Sequence, residues 1–452
     1  MTRYCIIGGG PAGLASLKAM LDAGYDVDCF EKSDTIGGHW NHDYDALHLI
    51  TSRQVTGFAD LPMPEHWPLF PHRDQMLEYF HLYADTFDLR RHITFNTAVV
   101  SVEPIADGGS AEPPPSGPGI APVGARGWIV ETSDGVRREY DGVLVANGHL
   151  WDPRIPDVPG TFTGRQIHSG SYKNTADIEG RRVLVVGSGN SGCDLAVDAA
   201  QDRLDTHIVM RRGHFFQPKT FFGRPRSELA WMQEFTFEEQ DLIARMMMRV
   251  SVGTASDYPG MPEPDHHTLA DGPPVVNDLL LYWIQHGRIT VRPGIERFDG
   301  RTVHFTDGTS DDFDTILWAT GFHASLPFLD ESLLVRQDGV PLRVGGAVVP
   351  LDLEKIYLIG MIGARGPQPP IYPIQADLAV RMIAMHEASG GFMPIAGPLT
   401  TLQPHEWRID IIRPLWLDQV EQTKAALAFL ETTQVAVGPA EPARVVTQDA
   451  HV

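Results

Sequence analysis

The sequence predicts an α/β chain of two related lobes, the second inserted into the first. Two glycine loops and one internal echo carry this prediction. Residues 4–7 form a short apolar run that meets Gly8-Gly9-Gly10-Pro11-Ala12-Gly13. A helical pattern over 14–23 follows, with Leu14, Leu17, Lys18 and Leu21 at helical spacing, and then a strand over 26–30 that ends in Glu31. Far downstream, a strand over 182–186 meets Gly187-Ser188-Gly189-Asn190-Ser191-Gly192, a helix continues over 193–200, and a strand over 205–210 ends in Arg211-Arg212. The echo follows each unit. Asp134-Gly135 and Asp307-Gly308 are turn signals, and each precedes a strand ending in Ala-x-Gly, at Gly148 and at Gly321.

Strand, glycine turn, helix, strand is the order of a Rossmann-like dinucleotide-binding domain. Gly8 permits the tight turn, Gly10 lets the backbone approach a pyrophosphate, and Gly13 lets the helix pack closely on the strand. Pro11 and Ala12 complete the glycine turn, and the helix that follows offers free N–H groups and a positive dipole end to phosphates at its N-terminus. Glu31, followed by Lys32, is placed to accept hydrogen bonds from a ribose. The second unit ends differently. An acid at that position binds a 2′-hydroxyl, whereas Arg211-Arg212 suits a 2′-phosphate, so NADPH is expected there. The expected division is 1–155 for the first part of the first domain, 156–312 for the inserted domain, and 313–452 for the rest of the first domain with C-terminal helices.

Between the glycine loops, Gly37-Gly38-His39-Trp40 suits a loop that passes over a flat ring and stacks on it. Residues 74–87 read as an amphipathic helix used for packing. The stretch 105–127, rich in Pro, Gly, Ser and Ala, reads as an exposed loop. Residues 234–281 carry two helical patterns, and Met246-Met247-Met248 reads as core filler. His266-His267 reads as a loop pair, with no third ligand at metal-site spacing. After Gly321 the chain is expected to return to the first lobe through a strand over 355–359 and a helix from residue 374, with Gln375 near its N-terminus. The tail from Pro404 reads as helix and the last dozen residues as disordered.

A formal net charge of -22 argues against nucleic acid and against docking on anionic membranes. Hydrophobic content of 42% and charged content of 21% are ordinary for a soluble globular protein. Cys5, Cys29 and Cys193 read as small buried hydrophobes. The chain opens directly into a strand, and no apolar run reaches membrane-spanning length, so a cytoplasmic protein is expected. A homodimer is compatible with the sequence.

Residues 162–172 read Phe162-Thr-Gly-Arg-Gln-Ile-His168-Ser-Gly-Ser-Tyr172, a polar loop placed between the two glycine units. This stretch resembles the Phe-x-Gly-x-x-x-His-x-x-x-Tyr fingerprint of the flavin-containing monooxygenases. Gly38-His39-Trp40 is similar to the family's Gly-Gly-x-Trp, and Phe58 to Pro64 to its Phe-Ser-Asp-Phe-Pro-x-Pro. Gly187 to Asp194 is similar to its Gly-x-Gly-Asn-Ser-Gly-x-Asp, and Thr320-Gly321 to the Ala-Thr-Gly of two-dinucleotide flavoproteins. The resemblance implies FAD in the outer lobe and NADPH in the inserted lobe. Hydride would pass to FAD, O2 would add as a C4a-hydroperoxide, and one oxygen atom would pass to a small soft nucleophile, an amine nitrogen or a thioether sulfur. It places Asn190, His168 and Ser52 as catalytic candidates. Thr51, Ser52, Lys219 and Gln375 join the glycine loops as cofactor-binding candidates.

One position departs from the family pattern. Where the family carries an Asn, ten residues before Asp60, this chain has Ile50, which cannot donate a hydrogen bond. His48, Thr51 and Ser52 are the neighbouring donors. Tyr172 favours the amine and sulfide branch over the Baeyer–Villiger branch, which usually ends the fingerprint in Trp. Ketone oxygenation and an NADPH-consuming oxidase or reductase remain the alternatives. A disulfide reductase would need a Cys-x-x-Cys, which is absent, and a non-catalytic NADPH sensor would leave the 162–172 pattern without a use.

Overall fold

The computed structural model describes residues 3–105, 123–390 and 393–435. Most of the loop expected at 105–127, and the final dozen residues, lie outside the described residues. Each lobe is built on a five-stranded parallel sheet. The main strands are β1 (Arg3–Ile7), β2 (Asp26–Phe30), β3 (Ile93–Thr94), β4 (Gly142–Val145), β5 (Arg165–His168), β6 (Arg182–Val186), β7 (Asp205–Val209), β8 (Ile289–Arg292), β9 (Thr315–Trp318) and β10 (Ile356–Leu358). The first sheet has the order β10-β4-β1-β2-β3 and the second β5-β9-β6-β7-β8. The two orders are equivalent, with β1 matching β6 and β4 matching β9. The internal echo is therefore structural. Each turn signal closes a hairpin of a three-stranded antiparallel sheet, and the chain then enters the strand beside the glycine-loop strand.

Strand β9 corrects one boundary. It pairs with β6 over Val183↔Thr315 to Val186↔Trp318, so the inserted lobe keeps the chain through the 319–321 turn and does not end at 312. The two connections between lobes then run side by side. Asp152–Pro153 pairs antiparallel with Phe322–His323, and the Arg154 guanidinium donates to the Thr320 carbonyl at 3.2 and 3.1 Å.

The longer helices are α1 (Pro11–Asp22), α2 (Arg73–Thr86), α3 (Asn190–Gln201), α4 (Phe237–Val252), α5 (Ile371–Ala388) and α6 (Arg413–Val435). Both glycine-loop helices start earlier than the apolar periodicity suggests. Their first turns, Pro11-Ala12-Gly13 and Asn190-Ser191-Gly192, carry no large apolar residue for the periodicity to register. Helix α5 starts at Ile371, because prolines are tolerated in a first turn that needs no N–H. Helix α2 buries Met76, Phe80, Tyr83 and Ala84 of the face expected of it, together with Tyr79, while the expected Leu77 and Phe87 are half-buried. Apolar clusters line both faces of each sheet. All three cysteines are buried. The methionine run divides: Met248 is core beside Phe221, Leu229 and Met232, while Met246 is exposed. Among the described residues no helix is long and apolar enough to cross a membrane.

Candidate functional site

The two glycine loops have the same geometry. A Cβ on Gly8 would stand 2.6 Å from the Ala146 carbonyl oxygen, and one on Gly187 would stand 2.3 Å from that of Ala319. Both residues have φ above +100°, which favours glycine. A Cβ on Gly13 would lie 1.8 Å from the Gly8 oxygen, and one on Gly192 would lie 1.9 Å from the Gly187 oxygen. These four glycines serve packing. The middle glycines differ. A Cβ on Gly10 would meet only the Gly38 backbone, at 3.7 Å, and one on Gly189 would meet nothing within 4 Å. Gly189 faces open space and Gly10 has only ordinary contact with Gly38, and each stands at a helix N-terminus, whose first N–H groups have no intrahelical partner. That is the shape and polarity a dinucleotide pyrophosphate needs, so FAD and NADPH both fit.

Around the first loop, Glu31 is buried, and its carboxylate accepts from the Gly9 N–H at 2.6 Å and from the Ser33 N–H and hydroxyl at 2.8 and 2.7 Å. A carboxylate offers about four lone-pair directions, so about one is left for a ribose. The exposed Lys32 ammonium lies 4.8 Å from the Trp151 ring centroid. The Gly38 turn lies on the loop itself, because Gly37 N–H donates to the Gly9 carbonyl at 3.1 Å. His39 is held by Asp43 at 2.7 Å, and Trp40 packs against Phe80. Pro11 occupies the first turn of α1, and Ala12 touches the position that a Gly360 Cβ would take.

Around the second loop, the buried Ser188 contacts His214 at 3.1 Å, and the Asn190 amide oxygen accepts the Val276 N–H at 2.9 Å. Ser191 follows in the first turn of α3. Arg211 is exposed and carries no ion pair among the described residues, whereas Arg212 approaches Asp265 at 3.7 Å. Lys219 lies over Phe70 of the first lobe, and burial lowers its pKa.

Six candidates have structural roles within the chain. His168 offers no free nitrogen: Gly170 N–H donates to Nδ1 at 3.1 Å, which leaves Nε2–H to donate to the Gly321 carbonyl at 3.0 Å. It pins the end of β5 to the 319–321 turn, and burial lowers its pKa. Gln375 is fully buried, with its amide oxygen on the Gly360 N–H at 2.9 Å and its amide nitrogen 3.4 Å from the Gly346 carbonyl, so both ends of the amide bond the backbone. Ser52 is fully buried and donates to Glu228 of the inserted lobe, while Thr51 bonds Thr56 at 2.8 Å. Thr320 donates to the Arg154 carbonyl, and Gly321, at φ +82°, makes the turn back. Tyr172 is fully buried and donates to Asp198 at 2.7 Å, an anchor rather than a wall of the site.

The residues that sequence reasoning missed join the lobes. Tyr44, from the segment that continues out of the Gly38 turn, donates to Asp194 at 2.9 Å. Asp45 N–H donates to the Lys173 carbonyl, and Lys173 donates to the Asn41 and Asp43 carbonyls. Tyr44 carried no local signal beyond an aromatic ring in a polar stretch. Ile50 is 38% exposed on the same segment.

Comparison with known proteins agrees with this geometry. Residues 1–388 match the family model described as flavin-binding monooxygenase-like. The chain is 32% identical to flavin-containing monooxygenase 5 of Rattus norvegicus, over 84% of this chain and 73% of the relative. It is 31% identical to dimethylaniline monooxygenase [N-oxide-forming] 2 of Oryctolagus cuniculus, with the same two coverages. An open cyclohexanone monooxygenase structure superposes with a TM-score of 0.70 at 19% identity, over 96% of this chain and 98% of that one, which shows the shared fold. The chain thus belongs to the flavin-binding monooxygenase-like family and is a flavin-dependent monooxygenase that uses FAD and NADPH.

Proposed function

We propose that this enzyme oxygenates a small soft nucleophile, a tertiary amine nitrogen or a thioether sulfur. One observation carries the reading. A single segment, residues 38–52, touches the first cradle at Gly10 and reaches α3 of the second cradle through Tyr44. The segment therefore forms a seam between the two cradles, where a substrate would meet the two cofactors. Hydride acceptance and oxygen activation are the chemistry that bound FAD, with NADPH, supplies. The chain binds and orients. Gly8–Gly13 with Glu31 hold the FAD nucleotide, Gly187–Gly192 hold the NADPH pyrophosphate, and Arg211 takes the 2′-phosphate. Asn190, at the mouth of the second cradle, keeps its amide N–H donors for the seam. The 38–52 segment and the Ser52–Glu228 bond keep water out of that seam. No ionisable side chain of the chain needs to move a proton at the substrate atom. The rabbit relative, named as N-oxide-forming, supports the amine branch.

Ketone oxygenation is the second reading. It is favoured by the exposed, apolar Ile50 where the family pattern has Asn. The test is product analysis with N,N-dimethylaniline, thioanisole and cyclohexanone, each with NADPH and air. N-oxide or sulfoxide matching the NADPH consumed is expected. Lactone as the main product would replace the first reading with the second. Peroxide alone from all three would refute both, and Ile50→Asn would then be expected to lower the peroxide fraction.

A further inference from the structure

We propose that Asp194 and Tyr44 are positioning residues, a pin that fixes the two cradles relative to each other and thereby governs hydride transfer and its coupling to oxygenation. This rests on the family assignment and not on the choice of substrate.

Asp194 lies in the second turn of α3, one turn behind the second glycine loop. Its two carboxylate oxygens face different parts of the molecule. Oδ2 accepts the Tyr44 hydroxyl of the first lobe at 2.9 Å, and Oδ1 accepts the Asn277 amide of the inserted lobe at 2.8 Å. Asn277 in turn accepts the Leu280 N–H at 2.9 Å, while Asn190, one turn before Asp194, accepts the Val276 N–H. The first two turns of the cradle helix thus gather the 275–280 segment on one side and the first lobe on the other. Burial pushes the Asp194 carboxyl up to about 6, against the Tyr44 hydroxyl, the Lys219 ammonium and the Asn277 amide, so all three neighbours favour its charged form.

Tyr44 is an unusual first-lobe residue. Its side chain is buried in the core of the second lobe, among Tyr172, Val183, Val185 and Cys193, with Ala46 and Leu47 packed beside it. Six residues earlier the same segment lies on Gly10 of the first cradle. A short, covalently continuous path therefore runs from one cradle to the other and ends in a buried hydrogen bond to a carboxylate. Hydrogen bonds to charged groups are the strong ones, and orientation errors of about 1 Å are costly to a reaction between two bound groups. A bond confined to packing would hold the fold but leave the rate of hydride transfer untouched.

The test uses the holoenzyme, with Tyr44→Phe, which keeps the ring in its core, and with Asp194→Asn. Three readouts are taken: the anaerobic rate of flavin bleaching at saturating NADPH, NADP+ affinity by titration, and the share of NADPH oxidation that ends in peroxide. Coupled turnover consumes NADPH, H+, O2 and substrate to give NADP+, water and oxygenated substrate. Uncoupled turnover gives NADP+ and H2O2 from NADPH, H+ and O2. In Tyr44→Phe the bleaching rate is expected to fall by roughly tenfold, with NADP+ affinity within about twofold, and the peroxide share to rise. Amide exchange over 43–47 and over 275–280 is expected to quicken together. The double variant Asp194→Asn/Asn277→Asp reverses donor and acceptor at one contact and is expected to restore much of the rate lost in Asp194→Asn. Variants that only melt earlier, while bleaching and coupling like wild type, would overturn the proposal. A wild-type flavin that NADPH does not bleach would instead remove the cofactor assignment on which it rests.

Discussion

The same small change, glycine to alanine, is predicted to have opposite effects at two positions three residues apart in the second cradle. At Gly192 the new methyl would stand 1.9 Å from the Gly187 oxygen, where ordinary contact begins near 3.4 Å. Helix and turn must separate by about 1.5 Å, and such overpacking costs roughly 1–3 kcal/mol or more. For a lobe of this size each kcal/mol lowers Tm by about 2–4 °C, so a fall of roughly 2–12 °C is expected. At Gly189 the methyl would meet nothing within 4 Å, and φ of -74° suits any residue. The entropic gain of alanine, about 0.4–1 kcal/mol, is offset by its poorer helix N-cap, so Tm stays within about 2 °C. The open space there is where the dinucleotide backbone must approach. NADP+ affinity is expected to fall by at least about tenfold, or ~1.4 kcal/mol. Thermal melts and NADP+ titration of both variants decide. A Gly189→Ala protein that binds NADP+ like wild type would refute the assignment of that space. A Gly192→Ala protein that melts like wild type would refute the packing argument.

Two further predictions follow from the same sites. Arg211→Ala is expected to raise KM for NADPH by about tenfold while leaving KM for NADH unchanged, because the free guanidinium serves only the 2′-phosphate; equal effects on both cofactors would contradict this. His149, whose Nδ1–H donates to the Gly360 carbonyl at 3.1 Å, has its pKa lowered by burial from 6.5 to about 4. Because the folded state resists protonation, its contribution to stability is fully present above about pH 6.5 and is lost as pH falls toward 4. Tm measured from pH 8 to pH 4 should fall more steeply in wild type than in His149→Asn, and parallel curves would count against it.

What the sequence made legible was local. Gly8–Gly13 and Gly187–Gly192 sit between their own strand and helix, so spacing alone reveals their geometry. The hairpin echo is equally local. What stayed hidden depended on distant partners. Thr315–Trp318 reads as a strand from its apolar run, but its sheet is decided by pairing with residues 183–186. His168, Gln375 and Ser52 are polar residues in the right neighbourhood, and a polar residue near a site can serve either ligand or backbone. Here Gly321, Gly360 and Glu228 claim them. Tyr44 and Asp194 lie 150 residues apart, and nothing in either neighbourhood announces the other.

The most direct test of the central claim is anaerobic titration of the flavin-loaded protein with NADPH, followed by mixing with O2 while absorbance is recorded. Bleaching of the flavin by one equivalent of NADPH is expected. After O2 is admitted, the oxidised spectrum should return more slowly than for free reduced flavin, and faster once an oxidisable amine or sulfide is added. A flavin that NADPH leaves oxidised would contradict the assignment of the second cradle. Immediate reoxidation to stoichiometric peroxide, with substrate present, would contradict the monooxygenase reading itself.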